Sequence, residues 1–186
     1  MKIKELELPL EIQLTLAEMP DIDLYMDQVI QLFEQKFGDT KRNAEEKILT
    51  KTMINNYAKG KVFFPIKNKK YSKEHLILIS MIYQLKGSLS IGDIKSTLAD
   101  INEIAENEPD ELHRLYTSYG SVMKKNVQRF QDDTQSMSDD IEQEGESIAT
   151  KERSRVEQIL SIASLVHMSN CYRKAAEKLV DELVNE

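Results

Sequence analysis

The 186-residue chain is 40% hydrophobic and 31% charged, with a formal net charge of −7. That composition predicts a chain that folds and stays soluble rather than a disordered one, with room for one ordinary domain plus a helical appendage. The single cysteine, Cys171, excludes an internal disulfide framework and a cysteine-rich zinc site. The longest mostly apolar run, Leu76 to Leu85, is about half a bilayer crossing. The opening MKIKELELPLE alternates charge with leucine and lacks the unbroken apolar stretch of a signal peptide, so a cytoplasmic location is expected.

In chain order, Leu6, Leu8, Leu10, Ile12, Leu14 and Leu16 alternate with strand periodicity. Pro9 would place this stretch at a sheet edge or leave it merely extended, and residues 1–19 read as an extended N-terminal segment. PDIDLYMDQVIQLFEQKFG reads as an amphipathic helix with Tyr25, Met26, Val29, Ile30, Phe33 and Phe37 on its apolar face. Asp21 or Asp23 would cap it and Gly38 would stop it. After a polar loop, Thr50 can cap a short helix ended by Gly60, with Met53, Ile54 and Tyr57 on one face and Lys51, Asn55, Asn56 and Lys59 largely on others. VFFPI and the strip around Tyr71, joined by KNKK, predict a small hairpin with a basic tip. Ser72 would cap a helix through Lys86, and Gly87 would end it. Ser90 and Asp93 form a capping-box-like start for IGDIKSTLADI.

Pro109 suits a first helical turn, and Leu112, Leu115, Tyr116, Tyr119, Val122, Met123, Val127 and Phe130 carry a helical stripe. Residues 131–150 hold seven acids and no base and read as an acidic linker. The last helix, about 151–185, presents Val156, Ile159, Leu160, Ala163, Val166, Leu179 and Leu183. It would fold back as a core element or serve as a dimerisation arm, and a bundle that also dimerises is expected.

The charge is unevenly spread. Between Lys41 and Lys95 there are 12 Lys and Arg against four acids, a balance of +8 that leaves −15 for the rest. A basic middle in an acidic chain points to a polyanion partner for one segment. A short helix with small polar residues fits a major groove, where Asn offers adenine both a donor and an acceptor. Lysines beside it and at a hairpin tip suit phosphates.

The strings TMINNYAKGKVFFP, KKYSKEHLILISMIYQLKG and LSIGDIKSTL resemble the winged-helix head of MerR-type regulators, with Thr52, Tyr57, Gly60, Pro65, Tyr71, Ser72, Glu74, Leu89, Ile94 and Leu98 matching its layout. MPDIDLYMDQV, KILTKTMINNYAKGK and KKYSKEHL resemble more closely a Gram-positive bacterial family described as a domain of unknown function, numbered 1836, over about residues 18–100. The resemblance implies a mainly α fold: a winged helix-turn-helix over residues 20–100 with a β-hairpin wing, then a helical region over 101–186. It implies a DNA-binding transcriptional regulator, and a repressor rather than an activator, acting as a homodimer with each head on one half-site, is expected. Lys51, Thr52, Asn55, Asn56, Lys59, Lys61, Lys67, Lys69 and Lys70 are the expected DNA-contacting residues. The alternative is a protein-interaction adaptor that keeps this head as a scaffold.

Tyr57 and Tyr71 are expected to pack in the core, His75 and His113 to be surface histidines, and Cys171 to be a half-buried small residue. No metal site, cofactor or catalytic constellation is expected, since no ligand spacing, nucleophile–base pair or phosphate-cradling glycine loop is present. An effector of the C-terminal half, protein or small molecule, would bear no signature that names it.

Overall fold

The computed structural model describes residues 3, 8–10, 12–146 and 152–185. Among them the protein is mainly α-helical with one two-stranded antiparallel sheet. In chain order the elements are β1 (Leu24–Tyr25), α1 (Met26–Phe37) with a 3-10 turn over Gly38–Thr40, α2 (Lys51–Lys59), β2 (Lys70–Tyr71), α3 (Lys73–Leu85), α4 (Ile91–Thr97), α5 (Ala99–Asn107), α6 (Pro109–Glu146) and α7 (Arg153–Asn185). The chain divides into two compact units, Ile12–Ser121 with Glu177–Glu186, and Met1–Glu11 with Val122–Ala176. No helix among the described residues is long and apolar enough to cross a membrane.

The first of these units is built around α3. Leu76, Ile77, Leu78, Ile79, Ser80 and Ile82 are all sealed from solvent, so the middle of this helix is buried all round rather than on one face. Val29, Phe33 and Phe37 of α1, Ile54 and Tyr57 of α2, Ile94, Leu98, Leu112 and Tyr116 complete the same core. Phe33, Phe37 and Tyr83 form an aromatic cluster, the Phe37 and Tyr83 centroids 4.6 Å apart. The buried Ser80 hydroxyl of α3 is satisfied. Ser80 Oγ shares a hydrogen bond with the Tyr116 hydroxyl (2.8 Å), which donates to the Leu14 carbonyl at 2.6 Å. Gly120 makes room for the same N-terminal segment, since a Cβ there would sit 2.9 Å from Gln13 Oε1.

The N-terminal stretch is not a strand. Residues 8–10 and 12–16 form no sheet pairing, Leu8 and Leu10 are exposed and Leu14 is buried, while Leu6 lies outside the described residues. Alternation here reflects Ile12, Leu14 and Leu16 packing on the core, not a ladder. Neither Asp21 nor Asp23 caps α1. Asp21 pairs with Lys73 (2.7 Å), which holds its carboxyl below the usual range, and the chain runs extended as β1 up to Tyr25. The Tyr25 N–H donates to Gln28 Oε1 (2.8 Å), so a reverse bond from the helix's own first turn replaces the aspartate cap. Ser90 and Asp93 exchange their two capping bonds, each 3.1 Å. The helix they start ends sooner than its sequence suggests, because Leu98 leaves helical geometry (φ −100°, ψ 7°) and α5 begins anew.

The other unit holds the later part of α6 and the earlier part of α7. Residues 131–146 are helical, not a linker; residues 147–150 lie outside the described ones. Gly145 is the only glycine and there is no proline in that stretch, and Gln128–Asp132 and Gln135–Asp139 form i,i+4 hydrogen bonds. Thr134, Ser138 and Gly145 are buried on the face that also carries half-buried Val127, Phe130 and Ile141. The amphipathic stripe continues, but with small residues. At Gly145 a Cβ would lie 3.2 Å from Glu157 Oε1 of α7, and Arg153 donates to the Glu142 carbonyl at 3.1 Å.

Replacing Tyr116 by Phe leaves the Leu14 carbonyl and the Ser80 hydroxyl without their shared partner. Chemical denaturation should show a loss of about 1–3 kcal/mol. An unchanged midpoint would show that the hydroxyl does not tie these segments together.

Candidate nucleic-acid interface

Helix α2 is short because both its ends are fixed. Thr50 Oγ1 accepts from the Met53 N–H (3.1 Å) at its start. Ile54 and Tyr57 are buried and Met53 half-buried, while Lys51, Thr52, Asn55, Asn56 and Lys59 are all exposed. The polar face expected to meet DNA is therefore continuous. At the other end Val62 N–H bonds the Tyr57 carbonyl (3.0 Å) and Lys61 N–H the Ala58 carbonyl (3.1 Å), the paired bonds of a Schellman stop. The residue that takes the left-handed conformation there is Lys61 (φ 55°). Gly60 stays right-handed (φ −69°). Its lack of a side chain answers to space: a Cβ would come within 3.2 Å of the Asn56 carbonyl oxygen and 3.3 Å of Ile91.

The basic tip is a tight turn, but VFFPI is not its second strand. Lys67 and Lys70 form an isolated antiparallel bridge, closed by Lys70 N–H to the Lys67 carbonyl at 2.9 Å. Between them Asn68 (φ 52°) and Lys69 (φ 59°) are both left-handed, the signature of a type I′ turn. Beyond that bridge β2 pairs with β1, Tyr71 opposite Leu24 and Lys70 opposite Tyr25. Val62 and Phe63 instead leave α2 as buried loop and join the core. An apolar run that plugs a core needs no ladder partner.

The interface residues are linked at the start of α1. Lys51 Nζ pairs with Asp27 at 2.8 Å, and Lys70 Nζ lies 5.3 Å from the centroid of the Tyr25 ring. The N-terminal end of α2 and the KNKK turn thus both touch residues two apart in sequence. Lys59 sits at the other end of α2, about 12 Å along its axis from Lys51 at 1.5 Å per residue. Lys61, Lys67 and Lys69 are exposed; they and Lys59 have no carboxylate ion-pair partner among the described residues. Tyr25 is half exposed rather than on the apolar face of α1, because it belongs to β1 and precedes the helix. Nothing in the sequence marks Tyr25 and Asp27 as members of this surface, and only their pairing with Lys70 and Lys51 reveals them.

His75 is not a surface histidine. It is 3% exposed and its ring packs against Phe64 at a tilt, centroids 3.8 Å apart. Nδ1 accepts from the Ser72 N–H at 3.2 Å and Nε2 donates to the Phe64 carbonyl at 3.2 Å. That pattern needs the neutral ring with its proton on Nε2. Burial pushes its pKa below the ordinary 6.5, with the Phe64 carbonyl and the carboxylates of Glu74, Asp23 and Glu106 pulling the other way. His75 therefore fixes the loop leading into the KNKK turn. His113 is half-buried, its Nε2 3.6 Å from Glu74 Oε1. Cys171 is exposed rather than half-buried, because α7 leaves it on an open face, 3.7 Å from His167 Nε2. Among the described residues no three His, Cys, Asp or Glu side chains gather as metal ligands would.

Fold and surface together define a helical domain that presents a polar, lysine-rich face over a sealed apolar core. A family model described as Domain of unknown function (DUF1836) matches residues 14–119, and the chain belongs to that family. The match takes in the N-terminal segment from Leu14 and runs on into α6 as far as Tyr119, further in both directions than the expected 18–100. Neither a curated protein nor a solved structure gave a match.

Keeping His75 neutral has a consequence in pH. Below its unfolded value near 6.5 the unfolded chain takes up the proton first, so stability is full above that pH and falls as pH drops through it. Thermal unfolding from about pH 7.5 to about pH 5 should show a falling Tm. His75→Gln should be less stable at the upper pH and lose less on acidification. Parallel declines in both proteins would show that another group titrates.

Proposed function

We propose that the protein is a sequence-specific duplex-DNA-binding transcriptional regulator, a repressor, whose α2 and KNKK turn act as the reading helix and wing of a MerR-like winged helix-turn-helix. The observation that carries this reading is the choice of residue at the two left-handed lysines. A C′ position such as Lys61 and the second centre of a type I′ turn such as Lys69 are the positions where glycine is strongly preferred. A side chain there costs about 1–2 kcal/mol. Carrying lysine at both, each as exposed as Lys51, Lys59 and Lys67, trades stability for charge. Such local conflicts collect at functional surfaces.

In this reading Asn55 and Asn56 meet base edges, with Thr52 beside them, and Lys51 and Lys59 flank them in the major groove. Lys61, Lys67, Lys69 and Lys70 follow phosphates or the minor groove. The regulator works as a homodimer, with each head reading one half-site. Ile159, Ile162 and Val166, spaced i, i+3, i+7 and all more than half exposed on α7, supply an apolar seam suited to a second helix.

Glycine substitution separates charge from fold. Lys61→Gly with Lys69→Gly should keep or raise the Tm, because glycine relaxes both backbones. It should also weaken binding to every duplex alike and lower the salt slope by about one for each phosphate no longer neutralised. Asn55→Ala should instead cut the preference for the bound sequence over others, by about 1–3 kcal/mol. Unchanged duplex affinity in the double glycine variant would remove the reading.

A further inference from the structure

We infer that the cleft between the last turn of α2, the loop that follows it and α5 binds a short apolar peptide with free termini. Lys61 takes its carboxylate and Glu106 its ammonium. The cleft has a volume of about 520 Å³, within the range of small-molecule sites. Lys61 also belongs to the face proposed to follow phosphates, so a bound peptide withdraws one cation from a duplex. That competition rests on the DNA-binding reading; the binding of the peptide does not.

Three observations converge on the cleft. Its walls are mainly apolar: Phe63, Phe64, Pro65 and Ile66 come from the loop and Ala58 from the end of α2. The aromatic part is fixed in advance. Phe64 packs against His75 and its carbonyl accepts from the same ring, while Phe63 meets Tyr71 and His75 edge-on. A wall held by the core loses little freedom when a ligand arrives. Finally, the two charged residues that line the cleft are of opposite sign, Lys61 and Glu106. Both are exposed, and neither has an ion-pair partner among the described residues. Each springs from an anchored backbone, Lys61 from the left-handed stop of α2 and Glu106 from the last turn of α5.

These charges set the ligand's chemistry. Lys61 and Glu106 do not pair with each other, so each is left to meet a group of the ligand. A simple anion would be repelled by Glu106 and a simple cation by Lys61. Glu106 likewise keeps the cleft from serving as a further stretch of phosphate track. A zwitterion meets both residues favourably, and its apolar body covers Phe64, Pro65 and Ile66. A peptide of two apolar residues has this build, a charge at each end and side chains between. Phenylalanyl-leucine serves as the probe.

The test is a titration of the full-length protein, without nucleic acid, followed through backbone amide NMR shifts. The ligands are phenylalanyl-leucine and its N-acetylated and C-amidated forms, each of which loses one terminal charge. The free dipeptide should give saturable shifts confined to residues 58–66 and 102–106. Each blocked form should bind at least about threefold more weakly, as expected when one partly exposed ion pair is lost. Lys61→Gly, which relaxes its backbone, should bind the free and C-amidated forms alike. Glu106→Gln should bind the free and N-acetylated forms alike. Absence of saturable shifts, shifts centred elsewhere, or equal affinity of the parent protein for free and blocked dipeptides would each overturn the proposal. Saturating dipeptide should also weaken duplex binding, and an undiminished duplex affinity would overturn the competition. Dipeptide binding by a protein that binds no duplex would uphold the cleft and remove the DNA-binding reading alone.

Discussion

Everything in the domain that carries the basic face depends on burying α3 on all its sides. Each Leu or Ile sealed there contributes about 1.5–3 kcal/mol, and the stretch from His75 to Ile82, which has no solvent face, must find partners in every direction. Those partners include α1, α2, the loop after α2, β2, α4, α5 and the first turns of α6. The two polar side chains that enter this core act as fasteners. Ser80 meets Tyr116 and through it the Leu14 carbonyl. His75 closes the Ser72 start of α3 and grips the Phe64 carbonyl. The loop from Lys61 to Ile66 is therefore held from beneath, and the KNKK turn it leads into starts from a fixed point.

On this rigid support the surface makes choices the fold does not ask for. Lys61 and Lys69 hold left-handed backbone where glycine would be easier. Asn68 shares the turn with Lys69, and there the residue type suits the conformation. The lysines do not. Charge at those two points is kept at the expense of stability, while the core below is built from ordinary aliphatic packing. That division between an unstrained interior and a strained, charged rim is the physical basis for reading the face as a polyanion interface. The rim is not uniformly basic, since Asp27 holds Lys51. An exposed pair of this kind adds little to stability and leaves the lysine able to exchange partners.

Local chemistry is legible in the sequence wherever one residue decides the outcome. The Thr50 start of α2 with its Met53, Ile54 and Tyr57 face, the Ser90–Asp93 box and Pro109 at the first turn of α6 can all be read from neighbouring residues. Less legible are features set by distant partners. A two-residue strand has no alternation to detect, so β1 becomes visible only through Tyr71 and Lys70, far along the chain. VFFPI is as apolar as a strand, yet Val62 and Phe63 are used as core plugs. His75 is buried because Phe64 and Ser72 both accommodate its ring, and nothing in the adjacent sequence announces that. Residues 131–146 carry so many acids that the helical stripe of Val127, Phe130, Thr134, Ser138 and Ile141 is masked, since its buried members are partly hydroxyl residues. At the candidate interface the exposed face of α2 is readable from its periodicity. The left-handed lysines, Tyr25 and Asp27 require coordinates.

The central claim, that this lysine-bearing face binds duplex DNA, is tested most directly by fluorescence anisotropy of the full-length protein over a salt series. One labelled duplex carries the region upstream of its own coding sequence and the other a scrambled version of it. Log affinity should fall linearly with log salt, at a slope that corresponds to several neutralised phosphates. The upstream duplex should be preferred by at least roughly a thousandfold. No anisotropy change with either duplex, even at low salt, would contradict the claim.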